Sequence, residues 1–93
     1  MNPLLTIIIP TYNSENTVKN AIDSILSQTF KEYEILIIDN QSRDETIPLV
    51  QQYMLNYNSV RYISEKDNGI YDAMNKGISL AKGEWVYFLG SDD

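Results

Sequence analysis

The 93-residue sequence contains no cysteine and no histidine. Zinc centres of the Cys/His type, thiolate nucleophiles, disulfide frameworks and imidazole acid–base chemistry are therefore excluded within it. The chemistry left is that of carboxylates, amides and hydroxyls, hard-oxygen groups suited to Mg2+ or Mn2+. Basic residues are scarce too, with 7 Lys and Arg against 13 Asp and Glu and a formal net charge of −6. Unaided binding to a nucleic-acid backbone or an anionic membrane needs a cationic face, so no nucleic-acid partner is expected. Only 4 glycines are present, and neither a P-loop nor a Gly-x-Gly-x-x-Gly pattern occurs, so there is no glycine-rich phosphate cradle. No apolar run approaches the roughly 18–20 residues of a membrane span, and no basic segment leads an apolar one at the amino terminus. The expected compartment is cytoplasmic. Hydrophobic residues at 43% and charged residues at 22% are ordinary for a globular domain.

Hydrophobic periodicity divides the chain into alternating elements. Leu5 to Ile9 is a β-branched apolar run stopped by Pro10, which predicts a strand buried on both faces. Val18, Ala21, Ile22, Ile25 and Leu26 recur at helical spacing, with Ser14 as candidate N-cap and Glu15 at the helix's positive end. Glu34 to Asp39 predicts a second buried strand. Ser42 and Glu45 have capping-box spacing ahead of Ile47, Val50 and Met54, and Pro48 leaves that helix start open by a turn. Val60 to Ile63 predicts a third strand. Ile70, Ala73, Met74, Gly77, Ile78 and Ala81 form a third helical stripe, with Gly83 expected at C′. Trp85 to Leu89 predicts a fourth strand, followed by Gly90, Ser91, Asp92 and Asp93. A β-α-β-α-β-α-β order predicts an α/β fold with a parallel sheet and helices on both faces. Three-layer α/β domains are commonly larger, so residues 1–93 are expected to be the first part of a longer domain.

Open parallel sheets bind ligands beyond the carboxyl ends of their strands. Those ends read Pro10-Thr11-Tyr12-Asn13, Asp39-Asn40-Gln41-Ser42, Glu65-Lys66-Asp67-Asn68-Gly69 and Gly90-Ser91-Asp92-Asp93. Taken singly, a strand-end Asp is an ordinary loop cap. Asp39, Asp67, Asp92 and Asp93 gathered on one edge would repel a nucleotide diphosphate unless a divalent cation lay between. Asp92 and Asp93 offer hard oxygen ligands for that cation, although a pair of acids also suits a plain solvated loop. Asp39, acceptor-only when ionised, can take the N3–H of uracil. Tyr12 either stacks on a base or ribose or is a half-exposed loop aromatic. Gly77 implies close backbone approach, by the sheet first and a ligand second. Asn75 either faces solvent or reaches back to the site. A receiver-type signalling domain shares the alternation but needs acids directly after the first strand, where this chain has none.

The segments Thr6–Asn13, Ser24–Thr29, Glu34–Asp44, Ser64–Gly77 and Phe88–Asp93 together resemble family 2 glycosyltransferases, most of all their bacterial capsule and exopolysaccharide members. The resemblance runs over essentially the whole chain, in order and at matching spacing. It implies the Rossmann-like GT-A fold, binding of a nucleotide-sugar (usually a UDP-sugar) with Mn2+ or Mg2+, and sugar transfer with inversion in polysaccharide biosynthesis. By position, Pro10, Thr11 and Tyr12 match the first nucleotide-binding loop, Asp39 the uracil contact, and Asp67 a segment lining the nucleotide pocket. Asp92 and Asp93 match the D-x-D-type motif, Asp92 toward the ribose and Asp93 toward the metal. Many members carry Asp where this chain has Gly90, so metal ligation falls to the later carboxylates. The family's acceptor-binding half and catalytic base come after this motif. No catalytic residue is therefore assigned within residues 1–93, and the segment alone is expected to be inactive. A glycan or lipid-linked acceptor, and peripheral association with the inner face of the plasma membrane, are expectations for the full-length protein. From the residues alone, a non-catalytic nucleotide- or metal-binding module is the alternative.

Overall fold

The computed structural model describes residues 3–90. The predicted elements form in order: β1 (Leu5–Thr11), α1 (Val18–Leu26), β2 (Tyr33–Asp39), α2 (Thr46–Asn56), β3 (Val60–Ser64), α3 (Ile70–Leu80) and β4 (Trp85–Phe88). The sheet order is β3-β2-β1-β4 and every pairing is parallel. The chain winds outward from β1 to β3, then crosses back to lay β4 on the other side of β1. The winding reverses at β1, and the crevice beyond its carboxyl end is where such a sheet admits a ligand.

Helices cover both faces, as the alternation predicts. Ile7, Ile9, Ile35, Ile37 and Val60 pack against Val18, Ala21, Ile22 and Ile25 of α1 and Val50 of α2. Ile8, Leu36 and Ile38 pack on the opposite face with Ala73 of α3. β2 is buried along its whole length, which is why it reads as a continuous apolar run. Each fully buried Ile or Leu contributes about 1.5–3 kcal/mol, so these two strands anchor the domain. Pro10 lies inside β1, opposite Ile38. It is tolerated because, among the described residues, the β1–β4 ladder ends at Ile8, so no ladder bond calls for an N–H at Pro10.

Several local expectations resolve differently. Ser14 starts the helical path through its carbonyl, which accepts the N–H groups of Thr17 and Val18 at 3.0 and 2.8 Å. At α2 the capping acceptor is Asp44, whose Oδ1 takes the N–H and hydroxyl of Thr46 at 2.9 and 2.5 Å, while Ser42 turns to Asp39. Pro48 falls in the first turn of α2, where a missing N–H costs nothing. Gly83 is not a C′ residue, since α3 ends at Leu80. A Cβ there would lie 2.6 Å from the Thr6 nitrogen and 2.7 Å from the Leu5 carbonyl carbon. Close passage over β1 is what requires glycine. Gly77 is buried against Ile8, 2.6 Å from where a Cβ would stand, so helix–sheet packing accounts for it, and Asn75 is exposed.

A buried polar ladder crosses the α3 face at the amino end of the sheet. Glu34 accepts from the Thr6 hydroxyl at 2.6 Å, Arg61 Nε at 2.8 Å and the Lys82 N–H at 2.7 Å. Gly83 N–H donates to Thr6 Oγ1 at 2.9 Å and Arg61 also reaches the Leu80 carbonyl. Burial pushes the Glu34 carboxyl up, but the hydrogen bonds from Arg61, Thr6 and Lys82 outweigh it and hold the group below its ordinary value. The ladder fixes the α3–β4 connection, and with it β4, against the central strands.

Candidate functional site

The loops after β1 and β2 are laced into one unit. Asn13 N–H donates to Ser42 Oγ at 2.8 Å, and Asn13 Oδ1 accepts Arg43 N–H at 2.9 Å. Ser14 N–H meets Thr46 Oγ1 at 2.7 Å and Glu15 N–H meets Asp44 Oδ2 at 3.1 Å. Asn13 and Gln41 hold positive φ of 48° and 51°, conformations non-glycine residues adopt sparingly and that cluster at sites which over-determine them. Desolvation raises the Asp44 carboxyl, yet the Thr46 hydroxyl and N–H and the Glu15 N–H together bring it below its ordinary value.

Asp39 is the centre of this lacing. Its side chain is fully buried, at 0% exposure. Oδ1 accepts the hydroxyls of Thr11 and Ser42, both at 2.5 Å, and Oδ2 accepts Ser42 N–H at 2.7 Å and the Ser64 hydroxyl at 2.8 Å. Four donors from the ends of three strands thus converge on one carboxylate. The third loop joins through Glu65 N–H to the Asp39 carbonyl at 2.9 Å and Asp67 N–H to Asn40 Oδ1 at 3.0 Å. Asp67 Oδ1 then takes Gly69 N–H at 3.1 Å, just ahead of α3, with Gly69 at φ 114°. Lys76 steadies the loop by donating to the Lys66 carbonyl at 2.6 Å, within 3.4 Å of Glu65 and 3.6 Å of Asp72.

A cavity of about 270 Å³ opens on the α3 side of this edge, lined by Pro10, Thr11, Tyr12, Asn40, Asp67, Gly69 and Ala73. Pro10, Thr11, Tyr12 and Asp67, four of the residues singled out in the sequence, are therefore together. Tyr12 presents its ring, 62% exposed, at the rim. Asp39 is not among the lining residues and lies beneath them. Asn40, which sequence reasoning passed over, is in the lining. Its signal was strand parity: Asp39 shares a face with Ile35 and Ile37, whereas Asn40 shares the α3 face with Ile38. Asp92 and Asp93 lie outside the described residues. Among the described residues no group of three or more acidic side chains could hold a metal ion. A larger cleft of about 430 Å³, with Lys31, Glu34, Arg61 and Lys82, lies at the opposite end of the sheet. There the Glu34 charge is already paired with Arg61, and the carboxyl-end cavity is the one the topology favours.

Known proteins bear the same pattern. The chain is 40% identical over 92 residues to a PGL/p-HBAD biosynthesis glycosyltransferase of Mycobacterium tuberculosis, covering 98% of this chain and 36% of that protein. It is 37% identical over 91 residues to the chondroitin synthase of Escherichia coli, covering 98% of this chain and 13% of the synthase. The fold matches S. aureus TarS 1–349 in complex with UDP-GlcNAc with a TM-score of 0.86 at 30% identity, covering 95% of this chain and 26% of that 1–349 chain. It matches the mannosyltransferase PcManGT of Pyrobaculum calidifontis, in complex with GDP-Man and Mn2+, with a TM-score of 0.88 at 26% identity, covering 99% and 28%. The chain thus spans little more than a third, or less, of each of these proteins. The model of glycosyl transferase family 2 matches residues 6–93, and with the parallel GT-A sheet and its carboxyl-edge cavity this means that the chain belongs to glycosyl transferase family 2.

Proposed function

We propose that residues 1–93 form the donor-binding part of an inverting glycosyltransferase that uses a nucleotide-diphospho-sugar, a UDP-sugar first of all. The observation that carries this reading is the cavity where the loops after β1, β2 and β3 meet beside β1. Solved relatives with the same fold hold UDP-GlcNAc or GDP-Man. At about 270 Å³ the cavity is smaller than the roughly 300–1,000 Å³ of a complete small-molecule site. It is read here as one wall, completed by polypeptide outside this segment, which also supplies the acceptor site and the catalytic base.

In this reading Tyr12 stacks on the base or ribose. Asn40 has its carbonyl engaged by Asp67 N–H, so its amide N–H groups are the ones turned to the carbonyl oxygens of a base. Asp39 acts from below as the buried acceptor that holds the three loops in register. A direct contact to uracil N3–H would require one of its four donors to swing away. Asp92 and Asp93, whose carboxylate oxygens suit Mn2+ or Mg2+, would hold the cation. That cation would neutralise charge on the departing diphosphate.

Isothermal titration of the full-length protein with UDP, GDP and ADP tests the reading. UDP is expected to bind most tightly, and Asn40→Ala to weaken it by about 2- to 10-fold, the worth of one hydrogen bond. Equal affinity for all three nucleotides, untouched by Asn40→Ala, would remove the site from the cavity.

A further inference from the structure

Helix α2 turns a different stripe inward from the one its periodicity suggests. Val50 is buried as expected, but Met54 is 36% exposed, while Leu49 and Tyr53 pack against the core beside Val50. Leu49, Tyr53 and Tyr57 recur every four residues and so lie one above another on one face. That face runs along the seam with α1, where the Tyr53 hydroxyl donates to Asp23 Oδ1 at 2.5 Å and Lys19 Nζ donates to Asp23 Oδ2 at 2.7 Å. A cavity of about 190 Å³ opens there, lined by Lys19, Leu49, Gln52, Tyr53, Asn56 and Tyr57. It shares no residue with the cavity at the carboxyl edge.

The lining selects by charge, by hydrogen bonding and by shape. Lys19 is the one charged residue of the six, and Asp23 already neutralises it, so a phosphate or carboxylate finds no free cation. Gln52 and Asn56, one helical turn apart, carry side-chain amides with no partner among the described residues. Each offers two donors and one acceptor, a set that suits neighbouring hydroxyl groups. An apolar peptide side chain seated here would strand both amides. The Tyr53 and Tyr57 rings stand 6.4 Å apart at a tilt of 36° and form an apolar wall. Asp23 holds the first of them in place, which lowers the cost of ordering it on binding. A neutral molecule with one face of C–H bonds and a rim of hydroxyls complements all three features. We propose that this cavity is a carbohydrate site that takes one neutral sugar residue of a glycan, its C–H face on the two tyrosines and its hydroxyls on Gln52 and Asn56. The site stands apart from the donor edge and does not need the donor reading. In a glycosyltransferase, a second hold of this kind raises the effective concentration of the glycan without any new contact at the reacting centre.

Saturation-transfer NMR on the full-length protein tests this. The probes are the methyl glycosides of glucose, galactose, mannose and N-acetylglucosamine, each standing for one residue of a chain. Glycerol is the control, rich in hydroxyls but without the apolar face. Transfer to the ring C–H protons of at least one glycoside, and none to glycerol, is expected. Tyr57→Ala should remove most of that transfer, and Gln52→Ala should weaken the affinity by about 2- to 10-fold, the worth of one hydrogen bond. Both residues are exposed, so the circular-dichroism spectrum should stay unchanged. Tyr12→Ala, at the carboxyl edge, should leave glycoside binding as it is. Transfer to none of the four glycosides, equal transfer to glycerol, or transfer undiminished in both Tyr57→Ala and Gln52→Ala would overturn the proposal. So would transfer lost in Tyr12→Ala, which would assign the glycosides to the donor edge. UDP affinity, measured separately, decides the donor reading and should be the same in Tyr57→Ala as in the unaltered protein.

Discussion

Replacing Asp39 separates two roles that the same residue could play. In the structure its carboxylate is the shared acceptor for the Thr11, Ser42 and Ser64 hydroxyls and for Ser42 N–H. Asp39→Ala strands all four. The hydroxyls can rotate toward water entering the vacated space, but the backbone N–H of Ser42 cannot. With about two of the four bonds effectively lost, at roughly 1.5–3 kcal/mol for each bond to a charged group, the cost is about 3–6 kcal/mol. That is a large share of the roughly 5–14 kcal/mol available to a domain of this size. Asp39→Asn keeps the shape. Its oxygen can stay on Ser42 N–H while the hydroxyls of Thr11 and Ser42 turn to accept from the new amide, so the cost falls to about 1.5–3 kcal/mol. Urea denaturation followed by circular dichroism reads this as a midpoint lowered by about 1.5–3 M, at a slope near 1 kcal/mol per M. An Asp39→Asn variant with an unchanged urea midpoint and weakened uridine binding would refute the reasoning. Asp39 would then be an accessible base contact, the role implied by the family resemblance.

Further outcomes follow from other residues. Tyr12→Ala should weaken UDP binding by about 1–3 kcal/mol, the worth of base–aromatic stacking, with an unchanged urea midpoint. Equal binding would place the ring outside the site. Gly83→Ala drives a Cβ into the β1 backbone and should cost about 2–4 kcal/mol. Gly77→Ala meets only the Ile8 side chain and gains about 1 kcal/mol of helix propensity, so it should cost less. Urea melts that reverse the order would contradict the account of both contacts. The Glu34 carboxyl is held below its ordinary value of 4.5 in the fold, so the unfolded chain takes up its proton first as pH falls. Its stabilisation is present above that value and is lost as pH drops through it and through the lowered folded value. Glu34→Gln should therefore reduce stability at neutral pH and flatten its acid dependence, whereas an unchanged acid limb would exclude Glu34 as a source.

The fold was legible because its signals are local. Continuous β-branched runs mark β1 and β2, and apolar stripes mark the helices. The alternation alone implies parallel strands covered on both faces. What the sequence hid were pairings across loops. Ser42 reads as a helix cap, yet it turns back three residues to Asp39, where Thr11 of β1 and Ser64 of β3 also converge, and it leaves Asp44 to cap Thr46. Gly83 reads as a helix terminator, and its real constraint is a backbone 77 residues away in sequence. Glu34 reads as the polar start of a strand, and its burial depends on Arg61 arriving from β3. At the site, Asp39 drew attention by its chemistry and Asn40 was missed, although strand parity, left unused, puts Asn40 and not Asp39 on the cavity side. β4 was legible as a strand, but its exposure at the sheet edge was not, because its composition is that of a central strand and the sheet order is set by a crossover.

The most direct test of the donor-site account is a titration of UDP and of uridine into the full-length protein, each with and without Mn2+. The cavity lining holds no Lys or Arg and Lys76 is engaged with Glu65 and Asp72, which supports the proposal that a divalent cation mediates between the carboxyl edge and a diphosphate. The account predicts that Mn2+ tightens UDP, that UDP tightens Mn2+ by the same factor, and that uridine is indifferent to the metal. UDP affinity independent of Mn2+ would contradict it.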